Sequence, residues 1–553
     1  MTPFPFRFLL ALILLACPIP AVWAQACNTT ILHVAPSGGT TATAGQGWDE
    51  PASLQHALGR ANGDANLGNC YEIRLRQGLY TPTSGSDRAA RFAINRPLLL
   101  RGGYVGDADM RVAGAGTTVL SGDIDDNDAN RTPEGVTSTA SGIAGQNSYH
   151  VVVIGGLAGT QGNGMFSATP GAADYTLIER LTITAGRGDV VTGMGNAFPS
   201  GHGGGLICNG VNRKCSPHLR QVQFQGNRSD MDGGAMTSQG TGEPVIEASL
   251  FSGNLAQRGG AIASIGISAV NQPQIFSSRF VGNHTLHDTG RGGAIYFLTS
   301  GVVSTPRIVG TLFRANTAQR GGAIFNESVS GATLQPVLER NTFHSNTVGS
   351  RNWNTGNTFH GGAIANLARP NASTLVAPTL TQNTFIDNSS EHYGGAIYSQ
   401  VLGGARATLN LVHTTMLDNL AQGGQAIYSQ INNGTISVTV SESILWGEGT
   451  FAQISASGST VAQQVARSII LPGGYTNNGN LNGPPLLGPL QDNGGFTPTL
   501  LPQATSPAID AVVCVPSLGS DQRGVPRPQG SGATPCDIGA VEHSDGHLLR
   551  LHV

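Results

Sequence analysis

The amino-acid sequence prescribes an all-β fold, a single-stranded right-handed parallel β-helix with a cap at each end. The first reason is a phrase that recurs seven times between Phe224 and Gly424: an aromatic residue or Met, two residues, an Asn, a loop of varying length, then Gly-Gly and a small apolar pair. The copies run from FQGN with GGAM to MLDN with GGQAI, and their lead residues are Phe224, Phe251, Phe280, Phe313, Phe343, Phe385 and Met416. The period averages about 32 residues, a spacing at which repetition means stacked supersecondary units. The second reason is an aliphatic residue five positions before every lead: Leu219, Ile246, Ile275, Ile308, Leu338, Leu380 and Leu411. The third is composition, with 78 Gly in 553 residues and only 11% charged side chains, against averages of about 7% and 25%.

Each part of the repeat has its own justification. Side chains alternate faces along a strand, so a separation of five puts the aliphatic and lead residues on opposite sides unless the backbone bends between them. Both are apolar in every copy, so the chain turns a corner there. The Asn that follows (Asn227, Asn254, Asn283, Asn316, Asn346, Asn388 and Asn419) marks another corner. Asn tolerates left-handed backbone, and its amide can bond to identical amides above and below as a structural ladder. Gly-Gly gives freedom for a tight approach, and Ala-Ile returns apolar side chains to the interior. One repeat is therefore one coil. Coils of parallel strands about 4.8 Å apart form the solenoid, right-handed by the general preference of parallel crossovers. A leucine-rich or helical solenoid is excluded, because no i, i+3, i+4, i+7 apolar face exists and glycines stand where a helix needs formers.

The paired FxxN and GGAI phrases resemble the repeats of the polymorphic outer membrane proteins of chlamydiae and related bacterial surface β-helices, over about 200 residues. The resemblance implies a pectin-lyase-like solenoid at a bacterial cell surface. At the other end, LQDNGGFTPTLLPQATSPAIDA, DQRGVPRP and CDIGAVE, between Leu490 and Glu542, closely resemble the choice-of-anchor Q module, which in its family follows a β-helix on exported proteins. Only HSDGHLLRLHV comes after it, without a transmembrane run or membrane-barrel strands; the expectation is a chain with no membrane span, and the autotransporter reading is set aside.

The N-terminus carries Arg7, an apolar run from Phe8 to Ala16 too short to span a bilayer, and a small-residue exit at Val22-Trp23-Ala24, the pattern of a secretory signal. Two readings stand: cleavage after Ala24, or a lipoprotein box at Leu14-Leu15-Ala16-Cys17 that leaves Cys17 lipidated. Cleavage after Ala24 leaves six cysteines, for which 15 connectivities are open. Nearest-neighbour pairing gives Cys27 with Cys70, Cys208 with Cys215 and Cys514 with Cys536. The expected organisation is a signal peptide over 1–24, an N-terminal cap and first coils over 25–180, repeat coils over 181–480, the choice-of-anchor-Q-like module over 481–545, and a tail over 546–553. Between Gly45 and Leu58, GQGWDEPASLQHAL places Pro51 at a helix start and Leu54, Ala57 and Leu58 on one face, suited to plugging the first coil. Strands are expected at Tyr71–Leu75, Phe92–Leu100 and Tyr149–Ile154.

Chemistry is sparser. The net charge is −3 and the only Lys is Lys214, so no basic stripe exists to hold nucleic acid. The densest acidic run, Asp123 to Asp128, offers Asp123, Asp125 and Asn127, with Glu134 further on, as oxygen ligands for calcium. Asp128 stands where an EF-hand loop needs Gly, and the competing reading is a solvated loop. Trp353, in the longest insertion of the array, offers a flat face for sugar stacking or a cover for its own loop. Asp387 and Glu391 are acids on the repeats with a binding role open to them, and a solvated outer face is the plainer reading. The function expected is an exported, noncatalytic surface or extracellular protein, adhesin-like, binding a polysaccharide, cell-surface or matrix ligand. The alternative is a lyase or glycoside hydrolase acting on an acidic polysaccharide.

Overall fold

The structure is a computed structural model that describes residues 29–543 apart from 67, 107–108, 112–117, 156–175, 191–200, 287–288, 350–359, 448–450, 459–460, 473, 516 and 529–534. It is a parallel β-helix. Two long stacks of parallel strands run its length: a 27-stranded sheet carrying the aliphatic and lead residues, and an 11-stranded sheet carrying the residues after Gly-Gly. A 7-stranded sheet of two-residue strands lies between them, just after the Asn. Each coil pairs in register with the next, so that Phe224, Phe251, Phe280, Phe313, Phe343, Phe385 and Met416 form one column. The column continues through Leu445 and Ile470, two coils beyond the last repeat of the phrase. The six Phe rings are fully buried and stack with centroids 4.5–5.0 Å apart and planes within 9° of parallel.

The corner before each lead is a single left-handed residue. Gln221, Ala248, Ser277, Gly310, Arg340, Gln382 and His413 all have φ between 46° and 58°. One residue in that conformation rotates the strand so that side chains five apart meet in the same interior. The next residue completes the bend: the side-chain oxygens of Ser249, Ser278 and Asn341 each accept the backbone N–H of the coil before, at 2.9–3.1 Å.

The second corner differs from expectation. The left-handed residue is the one before the Asn (Gly226, Gly253, Gly282, Ala315, Ser345, Asp387 and Asp418, φ 49–62°), and the Asn side chain points inward and is buried. Backbone conformation does not select Asn here; hydrogen bonding does. From Asn254 onward each Oδ1 accepts both the backbone N–H and the Nδ2–H of the preceding rung, and each Nδ2 also donates to the carbonyl of the preceding lead residue, as Asn316 does to Phe280 at 2.9 Å. A buried turn otherwise leaves these backbone groups unpaired.

At the third corner both glycines are required, for different reasons. Gly292 has φ +66°, and a Cβ on Gly293 would lie 2.1 Å from the Gly322 carbonyl oxygen of the next coil.

At the N-terminal end the helix Leu54–Gly63 covers the first coil with Leu54, Ala57, Leu58 and Ala61. It opens at Ser53, whose hydroxyl accepts the His56 N–H, so Pro51 lies outside it and an ordinary N-cap starts it. The stretch Phe92–Leu100 is two strands, Phe92–Ile94 and Leu99–Val105, in different sheets, because Pro97 lacks the N–H that would continue a ladder.

At the C-terminal end residues 474–481 cover the last coil, where Asn480 Nδ2 donates to the Val465 carbonyl at 2.9 Å. The segment after them is not an end cap. It folds back as a strap along the flank of the 27-stranded sheet. Phe496 lies against Gly310, the Pro498 carbonyl accepts from Thr342 at 2.7 Å, and Gln522 bonds Thr342 and Thr384. The Ala540 N–H donates to Thr415. A buried ionic knot fastens the strap: Arg527 is 2.8 Å from Glu542, and its Nη1 lies 2.9 Å from His413 Nδ1. Disulfides join Cys208 to Cys215 and Cys514 to Cys536. The Cys27–Cys70 pairing involves Cys27, which lies outside the described residues.

Candidate functional site

The strands just after the Asn are only two residues long because the chain turns again at once toward Gly-Gly. They end at Ser389–Ser390, over which Leu420 adds one bridging residue. Among the described residues no strand pairs over Leu420. Beside Leu420 lies a groove of about 480 Å³, lined by Val348, Ser390, Glu391, Leu420, Gln425 and Phe451 among others. Leu420 is 58% exposed and Phe451 50%. A flat apolar ring beside a carboxylate and an amide is the composition that holds a sugar, whose faces are apolar and whose edges carry hydroxyls.

Of the residues singled out from the sequence, Glu391 lines this groove. Asp387 does not; it is one of the left-handed corner residues, with an exposed carboxylate 3.8 Å from His344 Nε2. Trp353 lies outside the described residues. Sequence reading passed over Leu420, Gln425 and Phe451, because none repeats. The available signal lies in the sequence, where the last copy reads GGQAI and no FxxN follows Trp446.

The proposed calcium ligands are arranged by internal bonds. Asp123 accepts the Asn127 N–H at 3.1 Å and pairs with Arg131 at 2.9 Å, and Asp126 reaches the same guanidinium. Asp125 accepts from Asn127 Nδ2 at 2.8 Å and from the Gln146 N–H at 2.7 Å. Asp128 is buried and bonds Thr137, Ala144 and Asn147, and burial raises its pKa. A bond with Thr132 lowers the pKa of Glu134. The structure thus does not gather Asp123, Asp125 and Glu134 into one shell: among the described residues no three His, Cys, Asp or Glu side chains are placed to hold a metal ion. Arg131 supplies positive charge to the loop.

Residues 384–400 match the Chlamydia polymorphic membrane protein repeat. The matched stretch is one complete phrase, from the strand of Phe385 through Asn388 to the strand of Ile397, and it contributes Ser390 and Glu391 to the groove. No curated protein matches the chain. Among the described residues no helix is long and apolar enough to cross a membrane.

Proposed function

We propose that this chain is an exported, noncatalytic protein of a bacterial cell surface or its surroundings, adhesin-like, that binds a polysaccharide or matrix ligand. The groove beside Glu391 is the observation that carries the reading: an exposed Phe451 ring and a carboxylate on the solenoid, with Glu391 the one acid among the described lining residues. Glycoside hydrolysis needs a pair of carboxyl groups facing each other across the bond, about 5–9.5 Å apart, and the described lining residues offer one carboxyl group. The match of residues 384–400 to a repeat of the polymorphic membrane proteins supports a surface location, as does the signal-like N-terminus. The test is retention of the purified mature chain on insoluble cellulose, chitin, xylan and collagen. At least one of the four should retain it, Phe451→Ala and Glu391→Gln should each weaken retention about tenfold, and reducing ends should stay at background. Release of reducing ends or unsaturated product, or retention unchanged in both variants, refutes the reading.

A further inference from the structure

The outer face of the 27-stranded sheet carries an uncharged grid at its C-terminal end, apart from the groove. Strands Thr379–Thr381, Arg406–Val412, Thr435–Ser441 and Val461–Ala466 pair there in register. Side chains alternate along them, so Leu409, Leu411, Val438 and Val440 are buried and their neighbours face out. One outward column runs through Thr379, Asn410, Thr439 and Gln464. Beside it stand Thr381, Val412, Ser441 and Ala466 on one side, and Thr408, Ser437 and Ala462 on the other. All are half-buried or exposed. The strap fastens to Gln382, His413 and Thr415, beyond the corner that ends these strands.

Of the eleven positions six carry hydroxyls, two carry amides and three are Ala or Val. None is charged. Among the described residues no side chain or backbone group hydrogen-bonds these hydroxyls or amides, so their donors and acceptors face solvent. Charge begins at the margins. Glu339, paired with Arg307 at 2.7 Å, precedes Thr381 by one coil; Arg406 opens its strand; Arg467 sits with Glu442 at 2.7 Å past the far corner. The coils stack with little twist, since the rings of Phe343 and Phe385 lie 4° from parallel, and the grid is correspondingly flat.

We infer that this grid is an ice-binding face. Coils about 4.8 Å apart and alternate residues about 6.6 Å apart along a strand make a rectangular array close, in both directions, to oxygen repeats of hexagonal ice. A hydroxyl can stand in for a lattice water, while the Thr methyls and the Ala and Val side chains fill the spaces between. The absence of charge matters because an ion keeps a hydration shell that ice does not accommodate, and stripping it is costly. The composition argues against other occupants. A protein partner calls for an aromatic-rich patch in which Ser and Ala are depleted. A crystalline polysaccharide calls for rings that lie flat on sugar faces, and the grid holds none.

The test is partition of the full mature chain between a slowly growing ice hemisphere and the remaining liquid, with serum albumin as the excluded control. The chain should be enriched in the ice. Gln464→Lys, at an exposed position, should lower the ice fraction about twofold, and Thr408→Lys with Thr439→Lys about tenfold, since each added ion holds its water. Circular dichroism and the unfolding midpoint should stay those of the wild type. Gln274→Lys, outward on the same sheet three coils before Thr379, should leave the ice fraction unchanged. So should the groove variants Phe451→Ala and Glu391→Gln, which separates this face from the site proposed above. Exclusion of the folded wild type from ice, incorporation of Gln464→Lys equal to that of the wild type, or retention on crystalline cellulose that Gln464→Lys abolishes overturns the inference.

Discussion

Replacing Asn316 by Ala tests the inward ladder directly. Asn316 is fully buried in the middle of the rungs. Its Oδ1 accepts the Asn283 N–H and the Asn283 Nδ2–H, both at 3.0 Å; its Nδ2 donates to the Phe280 carbonyl and to Asn346 Oδ1, both at 2.9 Å. Ala removes all four bonds and leaves the Asn283 backbone N–H buried without an acceptor. An orphaned buried group costs about 1–3 kcal/mol and each further lost bond about 1, so the variant should lose about 4–6 kcal/mol. Asn316→Asp should be no better, because a carboxylate cannot donate to Phe280 and adds a buried charge. The assay is urea unfolding followed by circular dichroism, with hydrogen exchange at the Asn283 amide as a local readout, since coils of a solenoid can loosen separately. The control is Asn371→Ala, at an exposed turn, which should stay within about 0.5 kcal/mol of wild type. An Asn316→Ala variant with an unchanged midpoint and a still-protected Asn283 amide refutes the reasoning.

Phe313→Ala should cost about 3–5 kcal/mol, because the ring is fully buried between Phe280 and Phe343 at 5.0 and 4.8 Å; an unchanged unfolding midpoint counts against it. Burial lowers the pKa of His150 to about 4, with Nδ1 3.1 Å from the Gly203 carbonyl oxygen. A depressed histidine favours the neutral folded form, so its contribution is complete above its ordinary value near 6.5 and disappears as pH falls toward 4. The wild type should therefore lose about 2 kcal/mol between pH 7 and pH 5 from this group, and a His150→Gln variant should lack that part of the slope in unfolding titrations.

What repeats was legible in the sequence, and what occurs once was not. The lead, aliphatic and Gly-Gly positions announce the coil because each interior site recurs with one chemistry. The left-handed residue before the Asn was missed, since Gly, Ala, Ser and Asp all occupy it and only its conformation is constant. The column of Ser249, Ser278 and Asn341 hid for a similar reason: three side chains deliver the same acceptor. The groove lies beside Leu420, which bridges to the strand Ser389–Ser390. Its Phe451 and Leu420 belong to no pattern, and only Glu391 carried a charge that drew notice. The strap was read as an end cap because its contacts join residues more than a hundred positions apart, such as Thr342 with Pro498 and Gln382 with Ser520.

The strap also makes the solenoid count. Every junction between repeats offers the same column of rings and amides, so one whole coil can be excised and the cut faces still match. The strap contacts described above all fall on coils from Gly310 onward, so they do not fix the number of coils before it. From Gly310 onward the strap is pinned to successive coils, with Phe496 against Gly310, Pro498 on Thr342, Gln522 on Thr342 and Thr384, and Ala540 on Thr415. Losing a coil beneath it would move Arg527 off His413 and Ala540 off Thr415. The strap is a ruler laid along the second half of the molecule, and it divides one uniform array into a stretch open to length variation and a stretch whose length is measured.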